Sequence, residues 1–408
     1  MPHCGNRTPD GCNVAGTIER LADYCQSRDF QGWDPYDALN SPLLRMLSLG
    51  LKYPRIAVIQ AMKRSPINLR RLFLVKQGHN PKGLGLFLWG FAKLYAIDHD
   101  PKYLEPIDRL LDLLDQLRSP RCSGNGWGYN FDWQSRAFFV PKFTATIVNS
   151  SFIGHALLDT YRFTGRTRAL DMALPIQRFL LDDLHRTGDR DSFCFSYTPV
   201  DQLIVHNANL LGASLLIRLH AHDASDELAS TSLASLRYSM DRQRADGSWW
   251  YADTDYQQWI DSFHTGFNLQ SIKYFLDEGF VPQYHDAYER GVQYYAERFF
   301  QEDGTARYFH DRDLPLDIHS FAQAIVFFSR LGDAYESLTD RVLQRMIELF
   351  YDPRGYFYFQ QRRRRPIRIP YMRWSQSWAF HALTEYRLQT SRPQISNEHH
   401  DVPTSAPA

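Results

Sequence analysis

The stretch Val205-His206-Asn207-Ala208-Asn209-Leu210-Leu211-Gly212-Ala213-Ser214-Leu215-Leu216-Ile217 opens on a short polar cluster and continues as a helical run that is apolar almost all round. The same opening recurs at Asn149, Asn207, His264, His319 and Ser375, which stand 58, 57, 55 and 56 residues apart. A second marker, glycine followed closely by aromatic residues, keeps nearly the same period at Gly126, Gly188, Gly247, Gly304 and Gly355. Two markers in phase at this period indicate stacked supersecondary units. Each unit reads as helix, turn, helix and a glycine-aromatic loop. The chain is therefore predicted to be an array of αα-hairpins.

The spacing predicts helices near 17–26, 42–50, 53–65, 84–97 and 102–118, then pairs at 144–164 with 167–184, 203–220 with 225–243, 261–277 with 283–299 and 317–331 with 336–350, and a last helix at 374–389. The first helix of each pair is hydrophobic all round and so buried; the second, such as Tyr284 to Phe299, keeps a polar face and so lies outside. Six inner helices inside an outer ring close into an all-α (α/α)6 toroid, expected as one domain over 15–390, because closure leaves no exposed end repeat. The last inner helix lacks a following partner, and the N-terminal helices are free to supply it. Residues 1–14 and 391–408, rich in Pro, Ser, Asn and His, read as loose tails.

The 408 residues carry 46 basic and 46 acidic side chains, so the balance gives no bulk attraction to nucleic acid or a membrane. The run Arg362-Arg363-Arg364-Arg365 is a local exception and reads as a solvated loop. Five cysteines, Cys4, Cys12, Cys25, Cys122 and Cys194, form no CxxC pair, which suits a reducing compartment. The N-terminus shows no apolar leader, and the richest apolar helix is interrupted by Lys93; a cytoplasmic location is expected.

Closure would bring the starts of the inner helices to one mouth. There stand Asp132-Trp133-Gln134-Ser135-Arg136, Asn149, His206-Asn207, Trp259-Ile260-Asp261 with His264, Asp317 with His319, and Arg373-Trp374-Ser375-Gln376. Aromatic faces for C–H stacking, beside paired donors and acceptors for hydroxyls, suit a sugar. The helix N-termini there favour an anionic group such as a uronate. Asn149, Asn207 and Ser375 are expected to act as helix caps. Asp261 with His264, and Asp317 with His319, read instead as proton-transfer pairs, since capping does not explain a histidine after each aspartate. Asp132 is the other carboxylate expected to be catalytic. Trp133, Gln134, Arg136, Asn149, His206, Asn207, Trp259, Arg373, Trp374 and Gln376 are the substrate-contact candidates. No metal ligand set and no cofactor fingerprint appears. The glycine-aromatic loops read as wedges between hairpins.

Gln243-Arg244-Ala245-Asp246-Gly247-Ser248-Trp249 resembles the Q-x-x-D-G-x-W repeat of terpenoid cyclases and protein prenyltransferases, themselves α/α toroids. The D-x-D-D acid motif and the zinc ligands of those families are not matched; Asp253-Thr254-Asp255-Tyr256 is a partial echo. The strings Trp33-Asp34-Pro35-Tyr36-Asp37, Asn80-Pro81-Lys82-Gly83, Asp132-Trp133-Gln134-Ser135-Arg136, Val205-His206-Asn207-Ala208-Asn209 and Met372-Arg373-Trp374-Ser375-Gln376 are similar to a poorly characterised prokaryotic toroid family associated with exopolysaccharide and cell-surface glycan synthesis. The Asp261-to-His264 string also resembles six-hairpin glycosidases, lyases and epimerases. These resemblances imply an enzyme on a carbohydrate, an acidic oligosaccharide among the candidates. In a hydrolase, Asp132 and one of Asp261 or Asp317 would be acid and base. In a lyase or epimerase, His264 or His319 would take a proton beside a carboxylate held by Arg136 or Arg373. Two alternatives stand beside this: a cyclase- or prenyltransferase-like enzyme on an isoprenoid or lipid-linked substrate, which a mouth of aromatics with few polar groups would favour, and a non-catalytic glycan-binding or assembly protein, which carboxyls separated by more than about 10 Å would favour.

Overall fold

The computed structural model describes residues 13–391. The expected tails lie outside the described residues except for their innermost positions, Asn13, Val14 and Ser391. Fifteen helices are present among the described residues: α1 (Val14–Gln26), α2 (Pro42–Leu47), α3 (Lys52–Arg64), α4 (Pro81–Asp98), α5 (Leu104–Gln116), α6 (Ile147–Thr164), α7 (Thr167–Ala173), α8 (Ile176–Arg178), α9 (His206–His220), α10 (Asp226–Met240), α11 (Ser262–Asp277), α12 (His285–Phe299), α13 (Ile318–Phe328), α14 (Glu336–Phe350) and α15 (Ser377–Thr390). The helix expected over 167–184 is broken, because Pro175 has no N–H to continue the ladder. The last inner helix begins at Ser377, after a π-turn over Met372–Gln376.

Six helices that are buried nearly all round form a closed ring. α4 packs on α6, α6 on α9, α9 on α11, α11 on α13, α13 on α15, and α15 returns to α4. Each has an outer partner: α5 on α4, α7 on α6, α10 on α9, α12 on α11, α14 on α13 and α1 on α15. The N-terminal helix thus supplies the partner that α15 lacks. One apolar core runs through the whole ring. The (α/α)6 toroid expected from the sequence is the fold.

The glycine-aromatic loops wedge the hairpins, as expected. Gly247 has φ 89°, and an added Cβ would lie 2.4 Å from the Arg290 carbonyl oxygen of α12, so the turn needs glycine. Gln243 donates to the Gly247 carbonyl at 3.0 Å and the Ala287 carbonyl at 2.8 Å, while Trp249 Nε1 donates to the Ser239 carbonyl at 2.8 Å. Gly304 meets Arg341 of α14 in the same way, and Gly355 meets Arg20 of α1. The repeat therefore stitches the closing helix as it stitches the others.

Strands are two or three residues long. One ladder, Leu316–Asp317 with Gln360–Gln361, joins two successive repeats at the ring's mouth. Residues 30–78 form a small cap with its own core of Ala38, Leu39, Leu44, Ile59, Met62 and Val75. Two buried arginines tie the cap down, one through a hydrogen bond to the ring and one through an ion pair across to it. Arg70 donates to Asp37 at 2.7 Å and to the Tyr371 hydroxyl at 2.8 Å, and Arg373 chelates Asp34 through Nε and Nη2. Burial pushes the Asp37 carboxyl up to about 6 in spite of Arg70.

Candidate functional site

All six inner helices run the same way, so their first turns share one end of the ring. The caps are not where the sequence suggested. Thr146 caps α6 by accepting from the Asn149 N–H at 3.0 Å, and no side chain caps α9. Asn149 and Asn207 stand instead in the first turns with unpartnered buried side-chain atoms: both polar atoms of Asn149 and Oδ1 of Asn207. Ser375 sits in the π-turn, its Oγ also unpartnered. The two aspartates are the caps: Asp261 accepts from the His264 N–H at 3.1 Å, and Asp317 from the His319 N–H at 3.0 Å.

The two Asp-His pairs then diverge. His264 is the third residue of its helix, so its ring comes back over the cap, and Nδ1 meets Asp261 Oδ2 at 2.7 Å. Trp259 Nε1 donates to the same oxygen at 3.0 Å. His319 is the second residue of its helix and cannot turn back. Asp317 accepts from Trp374 Nε1 at 2.8 Å and Gln360 Nε2 at 2.5 Å, not from the imidazole. The expected Asp317–His319 side-chain pair is absent; Asp317 is a buried knot, and burial pushes its carboxyl up. Both ring nitrogens of His319 are unpartnered. Burial holds its imidazole well below the usual range, and the Lys82 and Arg373 charges push the same way. His319 is therefore neutral at neutral pH.

The two histidines share a wall. Phe263 stacks flat on His319 at 4.4 Å and lies 4.4 Å from His264. Trp374 and Trp378 close around His319 at 4.8 and 4.2 Å. Against His264 a small recess of about 10 Å³ is lined by Asn207, Tyr251, Trp259, Asp261 and Asn268. Tyr251 and Trp259 stack there at 4.5 Å. That volume admits about one water or one hydroxyl group.

Lys82, in the first turn of α4, was not among the sequence candidates. Its ammonium is buried without a hydrogen bond or ion pair among the described residues, over Phe152 at 4.1 Å and near Trp378 at 5.4 Å. Burial pushes it well below the usual lysine range, and Arg373 adds to this. Asn268 was missed as well; its Oδ1 is unpartnered. A lysine inside a glycine-rich apolar run was the available signal for the first, and an asparagine one turn after His264 on α11 for the second.

Other candidates are engaged elsewhere. His206 is held by Asp253 at 2.8 Å and Ser239 at 3.3 Å. Gln376 clamps both backbone groups of Phe357 at 2.8 Å. Asp132 accepts from the Lys142 N–H at 2.8 Å and lies 3.9 Å from Arg45. Trp133 packs against Tyr197 at 6.0 Å, Gln134 donates to the Ser135 carbonyl at 3.0 Å, and Arg136 is exposed. Arg373 is occupied by Asp34 but borders Tyr129 and Trp374. Tyr36 and Lys63 of the cap reach the rim at Trp374, 5.6 and 5.8 Å away. No group of three His, Cys, Asp or Glu is placed to share a metal among the described residues.

No family model and no curated protein sequence matches the chain. Solved structures do. A cellobiose 2-epimerase from Bacillus thermoamylovorans B4167 is similar over 76% of this chain and 87% of its own, with TM-score 0.59 and 13% identity. An α-mannanase from Bacteroides thetaiotaomicron is similar over 76% and 86%, with TM-score 0.57 and 13% identity. A polysaccharide lyase is similar over 93% and 96%, with TM-score 0.56 and 11% identity. At such identities the likeness concerns the fold, and all three agree on the toroid.

Proposed function

We propose that the chain is a sugar epimerase or isomerase that moves a proton at the carbon beside a carbonyl, using His264 and His319. The observation that carries this reading is the pair of imidazoles that both pack against Phe263, one oriented by Asp261 and one neutral with both nitrogens unpartnered. A neutral imidazole accepts a proton from carbon, and its electron pair passes to the carbonyl oxygen to give an enediolate. Return of a proton to the same carbon from the opposite face inverts it; return to the neighbouring carbon exchanges aldose and ketose. Asp261 fixes the His264 ring and leaves Nε2 for the substrate. Lys82 Nζ is the donor available to the developing oxyanion.

Two features argue against the other readings. Glycoside hydrolysis needs two working carboxyls, and Asp261 and Asp317 are both filled with donors while Asp132 is held at the rim. An isoprenoid would leave the polar atoms of Asn149, Asn207, Asn268 and His319 buried without partners, whereas sugar hydroxyls supply them. Lys82 also keeps acidic sugars, of the kind surface polysaccharides contain, within the substrate class.

The test is solvent exchange. The protein is incubated in deuterium oxide with a panel of aldoses, ketoses, uronates and reducing disaccharides, and deuterium at the carbon next to the carbonyl is followed by NMR. Incorporation that disappears in both His264→Ala and His319→Ala supports the proposal. Cleavage of a polysaccharide without any exchange would replace it with a hydrolase or lyase.

A further inference from the structure

The cap over residues 30–78 carries a surface unlike the rest of the molecule. Thirteen large hydrophobic residues are exposed among the described residues, and nine of them lie between Leu43 and Leu74. Met46 is 67% exposed, Leu49 76% and Tyr53 77%. Leu49 and Leu74 stand at turn positions with φ of 50° and 57°, where glycine or asparagine is less strained. Nothing inside the fold requires leucine at either place. The same segment is one-signed. Residues 38–97 contain no aspartate or glutamate, and residues 41–80 contain eight lysines and arginines. Of these, Arg45, Lys52, Arg64, Arg71 and Lys76 are exposed. The zero net charge of the chain conceals this patch.

We propose that the cap docks on an anionic lipid bilayer, with its leucines and Tyr53 in the headgroup boundary and its cations on lipid phosphates. Exposed apolar side chains and cations on one segment that has no acid of its own, with Asp132 reaching it only at Arg45, match an interfacial surface. No helix is long and apolar enough to cross a membrane, so the contact is peripheral. A second copy of the chain is the poorer occupant: a two-fold interface places a patch on its own equivalent, and here cations would face cations. The cap reaches Trp374 through Tyr36 and Lys63, so docking through its exposed side chains brings the ring's mouth near the membrane.

Flotation of the full-length protein with vesicles tests this independently of any sugar chemistry. Vesicles of phosphatidylcholine alone are compared with vesicles holding equal phosphatidylglycerol, in low and high salt. The expected result is flotation with the anionic vesicles only, weakened by salt. Met46→Ser with Leu47→Ser and Leu49→Ser should abolish it. Each of Lys52→Gln, Arg64→Gln and Arg71→Gln should weaken it roughly fivefold, near the effect of one cation at such a surface. All these side chains are exposed, so the variants fold, which circular dichroism confirms. Equal flotation with both vesicle types, flotation with neither, or a dimer in light scattering that the triple serine variant dissociates would each overturn the proposal.

Discussion

The two ends of the ring bury comparable numbers of polar groups and treat them in opposite ways. At the mouth stand Lys82, Asn149, Asn207, Asn268 and His319. About eleven residues further along, roughly 16 Å at the helical rise, the same inner helices present Lys93, Asp159, Arg218 and Glu385. There Lys93 meets Glu385 at 2.5 Å, and Arg330 meets both Glu385 oxygens at 2.9 Å. Arg218 and Trp89 meet the two oxygens of Asp159 at 2.5 and 2.6 Å. His155 and His381 take one hydrogen bond each from Arg218 and Lys93 at 3.0 Å, and burial holds both imidazoles well below their usual range. His381 Nε2 is the one nitrogen of these two rings left over. The far end is a saturated plug; the mouth is an unsatisfied one. An unpaired buried donor or acceptor costs about 1–3 kcal/mol, so the mouth carries a cost that the plug largely avoids. Partnered polar groups on a toroid axis are architecture, and unpartnered ones are a binding surface.

Substitution should separate the two ends. The largest effect is expected in activity at the mouth: His264→Ala and His319→Ala should each lower sugar turnover by about 10²- to 10⁴-fold, the range of general acid–base catalysis. His264→Ala should change the thermal melt little, whereas His319→Ala also empties a buried aromatic stack and should melt lower. His319→Phe should lose as much activity and melt no lower, since Phe preserves the stack on Phe263 and removes two unpartnered nitrogens. A fall in melting temperature with activity kept would place His319 in the architecture.

At the plug the expectation reverses. Glu385→Gln leaves Lys93 and Arg330 without their counter-charge, and breaking such a buried pair costs about 3–5 kcal/mol. Turnover per folded molecule should hold. The loss should depend on acid in a defined direction. Burial works to raise the Glu385 carboxyl, but Arg330 and Lys93 outweigh it and hold it well below its ordinary 4.5. A carboxyl depressed by folding stabilises fully above the unfolded value and loses that contribution as pH falls toward the folded value. The wild type should thus keep its advantage over Glu385→Gln from pH 7 to about 5 and lose it below 4.5, as chemical denaturation at each pH would show. An advantage growing toward acid would reverse the assigned sign.

The sequence made the ring legible because its period is carried by neighbours: a polar opening, an apolar run and a glycine-aromatic wedge, each within one repeat. The plug was hidden because its bonds join repeats. Lys93 and Glu385 are 292 positions apart, and each is a single charge in an apolar helix, which reads as an interruption. At the mouth, spacing held more than was read from it. Asp261 and His264 are three apart, so the side chain returns over the cap; Asp317 and His319 are two apart, and that ring leaves on another side of the helix. The same arithmetic places Asn149 three residues after Thr146, which makes Thr146 the cap and frees the asparagine. His206 and Gln376 looked like mouth residues by register, but Asp253 and the Phe357 backbone hold them, and those partners arise from loops with no periodic signal.

The smallest effect should be the most diagnostic. Asn149 is fully buried, and both polar atoms of its side chain lack partners, although its backbone N–H is satisfied by Thr146. Leucine has the same branched heavy-atom shape, though it is bulkier, and asks for no hydrogen bond. Asn149→Leu should therefore raise stability by about 1 kcal/mol, the lower end of the unpaired-amide penalty, while turnover falls because a sugar hydroxyl loses its partner. Activity and stability would move in opposite directions, as expected where a site is kept strained for function. The matching change at the plug, Asp159→Leu, strips Arg218 and Trp89 of their acceptor and should move both downward. Denaturant titration of the two variants beside their exchange rates measures the contrast directly. A destabilised Asn149→Leu would mean that its amide is satisfied in solution by the protein itself, and the mouth would then resemble the plug.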